Sequence, residues 1–138
     1  MWNSQALTYS NLLTGTTAAT TARTANLDCQ DADYATIVVQ VSAEANTDST
    51  NVVASILESD DTTASNFATF DSDHERTIDN TAAAIGVFHV DMRGRKRYLR
   101  LSLTPDTTTN GAVIVSAAGI VQPGSVQSAV ASTVSVTP

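Results

Sequence analysis

The sequence predicts an all-β fold, an antiparallel β-sandwich of jelly-roll type with extended N- and C-terminal arms, on three observations. Hydrophobic residues make up 42% of the 138 residues but aromatics only 5%. The core must therefore be built from Val, Ile, Leu and Ala, and β-branched side chains pack well on a pleated surface. Thr is abundant while the helix formers Lys, Glu and Gln are scarce, and no stretch reads as a helix of three turns. Apolar residues instead alternate at period two in short runs separated by turn residues. The length suits one domain of the usual size, roughly 100 to 200 residues.

Three regions are expected: an N-terminal strand and extended arm over 1–25, a sandwich domain over 26–122 and an extended tail over 123–138. Residues 14–25 (TGTTAATTARTA) are small and polar with no stable period. Residues 26–29 start the strand series. In 34–43 (YATIVVQVSA) Ala35, Ile37, Val39, Val41 and Ala43 share one face. A turn over 44–51 leads to a strand at 52–58, whose two apolar faces predict deep burial on both sides. Residues 59–84 hold polar loops around a short strand at 67–70, with DNTAAAI (79–85) adding one helical turn. In 85–92 Phe88, Val90 and Met92 alternate with Val87, His89 and Asp91, before Arg93-Gly94-Arg95 makes a tight turn. In 97–104 Leu99, Leu101 and Leu103 face the core while Tyr98, Arg100 and Ser102 face away. Asn110-Gly111 then supplies the φ > 0 positions that start a returning strand over 112–120. Three consecutive antiparallel strands are the expected pairing. The tail SVQSAVASTVSVTP carries no charge and places Val126, Val130, Val134 and Val136 on even positions, so pairing with a sheet edge of its own chain or a neighbour's is expected.

The formal charge is −7, from 14 acids and 7 bases. Five of those bases, Arg93, Arg95, Lys96, Arg97 and Arg100, lie in one stretch without an acid. The rest of the chain has 2 bases against 14 acids, or −12. So acidic a chain repels nucleic acid at long range, and Tyr98 is the only aromatic in the basic stretch that could stack on a base. The basic stretch reads instead as a contact for an acidic protein surface, or as internal pairing with Asp28, Asp31, Asp33 or Asp60. The opening MWNSQALTYSNLL lacks a basic region followed by an apolar run, and no stretch approaches the roughly 18 apolar residues of a membrane span. Neither an export signal nor a membrane partner is expected.

The lone Cys29 forms no intramolecular disulfide and suits a small apolar filler. His74 falls in a polar run and His89 on the outward face of a strand, so neither is placed beside a nucleophile and no enzyme is expected. The acidic runs Glu58-Ser59-Asp60-Asp61 and Asp71-Ser72-Asp73-His74-Glu75 lack EF-hand spacing and read as solvated turns. No glycine-rich phosphate loop is present, and no cofactor is implied.

Three segments resemble the head decoration, or cement, proteins of tailed bacteriophages. They are Leu27-Asp28 followed by ATIVVQVSA, then ASILESDD at 54–61, then GRKRYLRLSLT at 94–104 followed by AVIVSAAGI. The likeness covers about 26–122. It implies a non-enzymatic virion protein, made in the host cytoplasm, that sits on the outer capsid surface and bridges major capsid proteins, with a homotrimer favoured and a dimer as the other form. The basic stretch, with Arg93, Arg95, Lys96, Arg97, Tyr98 and Arg100, is then the expected capsid or subunit contact. The reading from another class is a glycan- or cell-surface-binding β-sandwich of a fibre or adhesin, against which the scarcity of exposed rings counts.

Overall fold

The computed structural model describes residues 7–18, 21–43, 51–69, 74–79, 81–106 and 113–123. These form nine strands: β1 (Thr8–Ala18), β2 (Arg23–Asp28), β3 (Ala32–Val41), β4 (Asn51–Ser59), β5 (Ala68–Thr69), β6 (Glu75–Ile78), β7 (Ala84–Asp91), β8 (Tyr98–Asp106) and β9 (Val113–Pro123). One 3-10 turn, Ala64–Asn66, lies between β4 and β5. The protein is an all-β sandwich of two antiparallel sheets. One has the order β1-β9-β3-β7; the other has β2-β8-β4-β5, with β6 also on β4. Taking β5 and β6 as one interrupted strand along β4, this is the eight-stranded order of a jelly roll.

Period-two alternation decides which side chains lie between the sheets. From the first sheet come Ile37, Val39 and Val41 of β3, Phe88 and Val90 of β7, and Val113 and Val115 of β9; from the second come Leu27, Val52, Ala54, Ile56, Leu99, Leu101 and Leu103, all buried. Each such side chain gains roughly 1.5–3 kcal/mol on leaving water. The alternation expected for β3, β7 and β8 is the one observed, except that Ala43 lies beyond β3 and is exposed.

The expected pairing of three consecutive strands is corrected. β7 pairs with β3, β8 with β2 and β4, and β9 with β1 and β3, so these three strands alternate between the sheets. Alternation of residue types orients faces but does not choose neighbours, which is why the turn at Arg93-Gly94-Arg95 read as a hairpin. The structure also draws the expected arm into the sandwich, since residues 8–18 pair with β9 and 23–25 with β8. The helical turn expected at 79–85 is replaced by a bend at 81–82 and the start of β7 at Ala84. β4 is buried on one face only; Val53, Ser55 and Leu57 are half-buried. The expectations for 44–50, for Asn110-Gly111 and for the tail beyond Pro123 fall outside the described residues.

Gly119 is one of two glycines among the described residues, with Gly86, where the sheets approach too closely for a Cβ. A Cβ at Gly119 would lie 2.8 and 3.0 Å from the methyls of Leu27 and 3.3 Å from Leu12, and Leu27 is itself enclosed. Gly119→Ala is expected to cost about 1–3 kcal/mol through overpacking. In urea denaturation the added Leu27→Ala change should cost less than it does in the parent, because it removes the clash; strictly additive losses would show that Leu27 yields freely.

Candidate functional site

The basic stretch spans a corner where the chain passes from one sheet to the other. Met92 closes β7, the Arg95 N–H donates to the Met92 carbonyl (3.0 Å), and Gly94 takes φ 80°, a value that favours glycine at the third position of a turn. A second crossing, from β2 to β3, runs alongside. There the Ala32 N–H donates to the Cys29 carbonyl (3.1 Å), and Asp31 sits at φ 59°, which Asp tolerates better than most residues. Two main-chain bonds tie the crossings together: Cys29 N–H to the Arg97 carbonyl (2.9 Å) and Met92 N–H to the Asp33 carbonyl (2.8 Å). Between them lies an open cleft of about 320 Å³ lined by Gln30, Asp31, Arg95 and Lys96 among others.

The cations are interlocked with acids. Arg97 holds Asp28 in a fork, Nε to Oδ1 at 2.9 Å and Nη2 to Oδ2 at 2.6 Å, the geometry in which arginine binds carboxylate best. Its guanidinium also lies 4.8 Å from the centre of the Tyr98 ring. Arg93 forks onto Asp91 at 2.9 and 2.5 Å and lies 5.3 Å from the Tyr34 ring centre. Lys96 reaches Asp60 at 3.6 Å, and its N–H donates to Glu58 at 3.2 Å.

Arg100 plays a different part. On the outer face of the second sheet it pairs in register with Asn26 and Leu57, donates to the Asn26 side-chain oxygen at 2.8 Å and to the Ala64 carbonyl at 3.2 Å, and lies 3.9 Å from the centre of the Phe67 ring. A stacked guanidinium of this kind pins the 60–67 loop over the sheet. That loop is braced from within by Asp61, which accepts from the Thr63 N–H (2.7 Å) and from Asn66 Nδ2 (2.8 Å).

These contacts set the local proton affinities. The Arg97 fork lowers the Asp28 pKa against a smaller opposing effect of burial. The Arg93 fork holds Asp91 at about 2, and the Asn66 amide lowers Asp61. Burial pushes the Cys29 thiol up to about 12, reinforced by the nearby Asp28 charge.

Internal pairing, one of the two readings of the basic stretch, thus accounts for Arg97 with Asp28 and Lys96 with Asp60. The Asp31 and Asp33 carboxylates act on Arg97 and Arg93 through their charge, and the Asp33 carbonyl accepts from the Met92 N–H. The Asp91 partner of Arg93 and the Asn26, Ala64 and Phe67 partners of Arg100 were not anticipated. Asp91 was legible, since it stands two residues before Arg93 at a strand end; the Arg100 partners depend on strand register and were not. The pairs remain accessible: the Arg97 and Asp28 side chains are 43% and 47% exposed. His89 contacts Thr36 Oγ1 at 3.1 Å on the outer sheet face, and among the described residues no group of three His, Cys, Asp or Glu side chains is placed to hold a metal ion.

The lowered carboxyl pKa values fix the sign of the acid response. Asp28, Asp61 and Asp91 bind protons less readily folded than unfolded, so their stabilisation is complete above the ordinary carboxylate range near 4 and is lost as pH falls through their folded values, about 2 for Asp91. Thermal melts should show Tm falling between about pH 4 and pH 2, with a shallower fall in Asp91→Asn; an unchanged slope would contradict the Asp91 assignment. Arg100→Ala is expected to leave the strands in place but speed amide exchange across 60–67 relative to the parent.

Comparison of the chain with protein-family models, with curated sequences and with solved structures returns no match.

Proposed function

We propose that this protein is a structural component of a tailed-phage head, a decoration protein seated on the outer capsid surface where it bridges major capsid proteins. One observation carries the reading. The chain enters β1 and leaves β9 at the same end of the sandwich, where Thr8 pairs with Val121 and Pro123 with Ala32, and that end also holds the two crossings and the basic stretch. A single end thus offers both connecting segments and a surface of exposed, already paired charges, while the opposite end faces away. The jelly-roll order and the decoration-protein resemblance of 26–122 support the same assignment.

The charged end suits such a contact physically. Arg97, Arg93 and Lys96 are pre-oriented by their acids, so a carboxylate on a capsid protein can join or replace those acids without ordering a long side chain anew. Each contact is modest, but many copies on a symmetric shell add through multivalency. No step of bond making or breaking is part of this role.

Cryo-EM of heads with and without the protein, before and after heating, tests the proposal. Added density on the outer surface with the charged end against the shell, together with later release of DNA on heating, is expected; no external density and unchanged heat resistance would overturn it. Replacing Arg97 and Arg100 with Glu reverses charges held by Asp28 and Asn26. Co-sedimentation with heads should fall by an order of magnitude or more, with circular dichroism reporting whether the sandwich persists. Undiminished binding by a folded double variant would remove the basic stretch from the contact.

A further inference from the structure

The four sheet edges differ in how they are guarded against pairing with another chain. β1 loses register with β9 at two places, between Asn11 and Leu13 and between Leu13 and Thr16, and its Gly15 has φ 36°. β2 is six residues long and bounded by Arg23 and Asp28. The last edge is broken into β5, of two residues, and β6, of four, which carries Glu75 and Arg76. Irregularity, shortness and charge are the usual protections of an edge strand.

β7 has the least: its one carboxylate, Asp91, is its last residue. Its eight residues keep unbroken register with β3, its only strand partner among the described residues. Residues 84–90 contain no Asp, Glu, Lys, Arg or Pro. Its outer face carries Ile85, 68% exposed, and Val87, 41% exposed. The inner side is closed by Ile78 of β6, which packs where a Cβ of Gly86 would stand, so the strand is backed from within, while no described residue pairs with its outer edge.

We propose that β7 is a homotypic interface, pairing antiparallel with β7 of a second copy about a two-fold axis near Val87 and joining two four-stranded sheets into one of eight strands. Charge selects this occupant. Each chain carries −7, so self-association is opposed wherever acids meet. The described charges of the first sheet's strands are Asp33 and Asp91, both near one end, and antiparallel pairing sets the two Asp91 side chains at opposite ends of the shared strand pair. A charged partner strand would find no counter-charge over 84–90. A second β7 supplies backbone donors and acceptors in matching alternation, with Ile85 of one copy beside His89 of the other. The inference stands apart from the phage-head reading and yields a two-fold contact, whereas the resemblance favours a trimer.

Sedimentation equilibrium of the full chain over a wide concentration range, with amide exchange of β7 at both extremes, tests this. The expected result is a reversible dimer whose β7 amides gain protection at high concentration. Val87→Lys, at an exposed site, should leave the melting profile of the dilute monomer close to that of the parent but place two lysines opposite each other and weaken dimerisation at least tenfold. Ile114→Lys, on the outer face of β9 away from the edge, should dimerise as the parent does. A monomer at all concentrations overturns the proposal, including one whose β7 is already protected by another part of its own chain. So does a dimer that Val87→Lys leaves intact, or one that Ile114→Lys abolishes, which would place the contact on the sheet face.

Discussion

The structure depends on the pairing of two crossings at one end of the sandwich. Nearly every strand passes the chain to the opposite sheet, so each corner must turn the backbone without leaving buried peptide groups unpaired. At the β2–β3 and β7–β8 corners the solution is mutual: Cys29 N–H finds the Arg97 carbonyl, and Met92 N–H the Asp33 carbonyl. The Arg97–Asp28 fork sits directly on that seam. Exposed ion pairs contribute little to global stability, typically below about 1 kcal/mol, so its value lies in orientation. It fixes where two short crossings, 29–31 and 92–97, stand relative to each other.

From this corner the charge distribution of the molecule follows. Residues that face the opposite sheet are apolar, and the outer face of the first sheet carries almost no charge along its strands. Acids and bases of the described residues therefore fall mostly at strand ends and in the connections. The basic stretch, which in isolation suggests a patch for an anionic partner, becomes a neutralised lattice in which most cations already have a carboxylate or a carbonyl. It can still meet an acidic surface, but by exchange of partners and not by filling a vacancy.

What the sequence revealed follows from which forces are local. β3, β7 and β8 were readable with their inward faces, because period-two alternation is written in consecutive residues; β4 and β9 were readable as strands, but apolar residues on both faces hid which side of β4 turns inward. β1 was not fully readable because its register shifts break that period just where residues 14–18 look featureless. The short strand expected at 67–70 is met by β5 at Ala68–Thr69, whereas β6 is too short to show a pattern, and the alanines at 82–84 favour a helical turn until β3 offers β7 a full ladder, an instance of tertiary structure overriding propensity. The corner followed the same division. Arg97 with Asp28 was among the pairings that opposite charge suggested, whereas Arg100 over Phe67 required knowing that the 60–67 loop folds back on the sheet.

The buried Cys29 thiol has a consequence of its own. Thiolate is the reactive form, and enclosure between the two crossings both blocks access and pushes its pKa up to about 12. Alkylation of the native chain must therefore wait for the corner to part. As the sole cysteine, it is a built-in clock for that opening, readable by mass on the unmodified protein whether free or seated on a larger assembly.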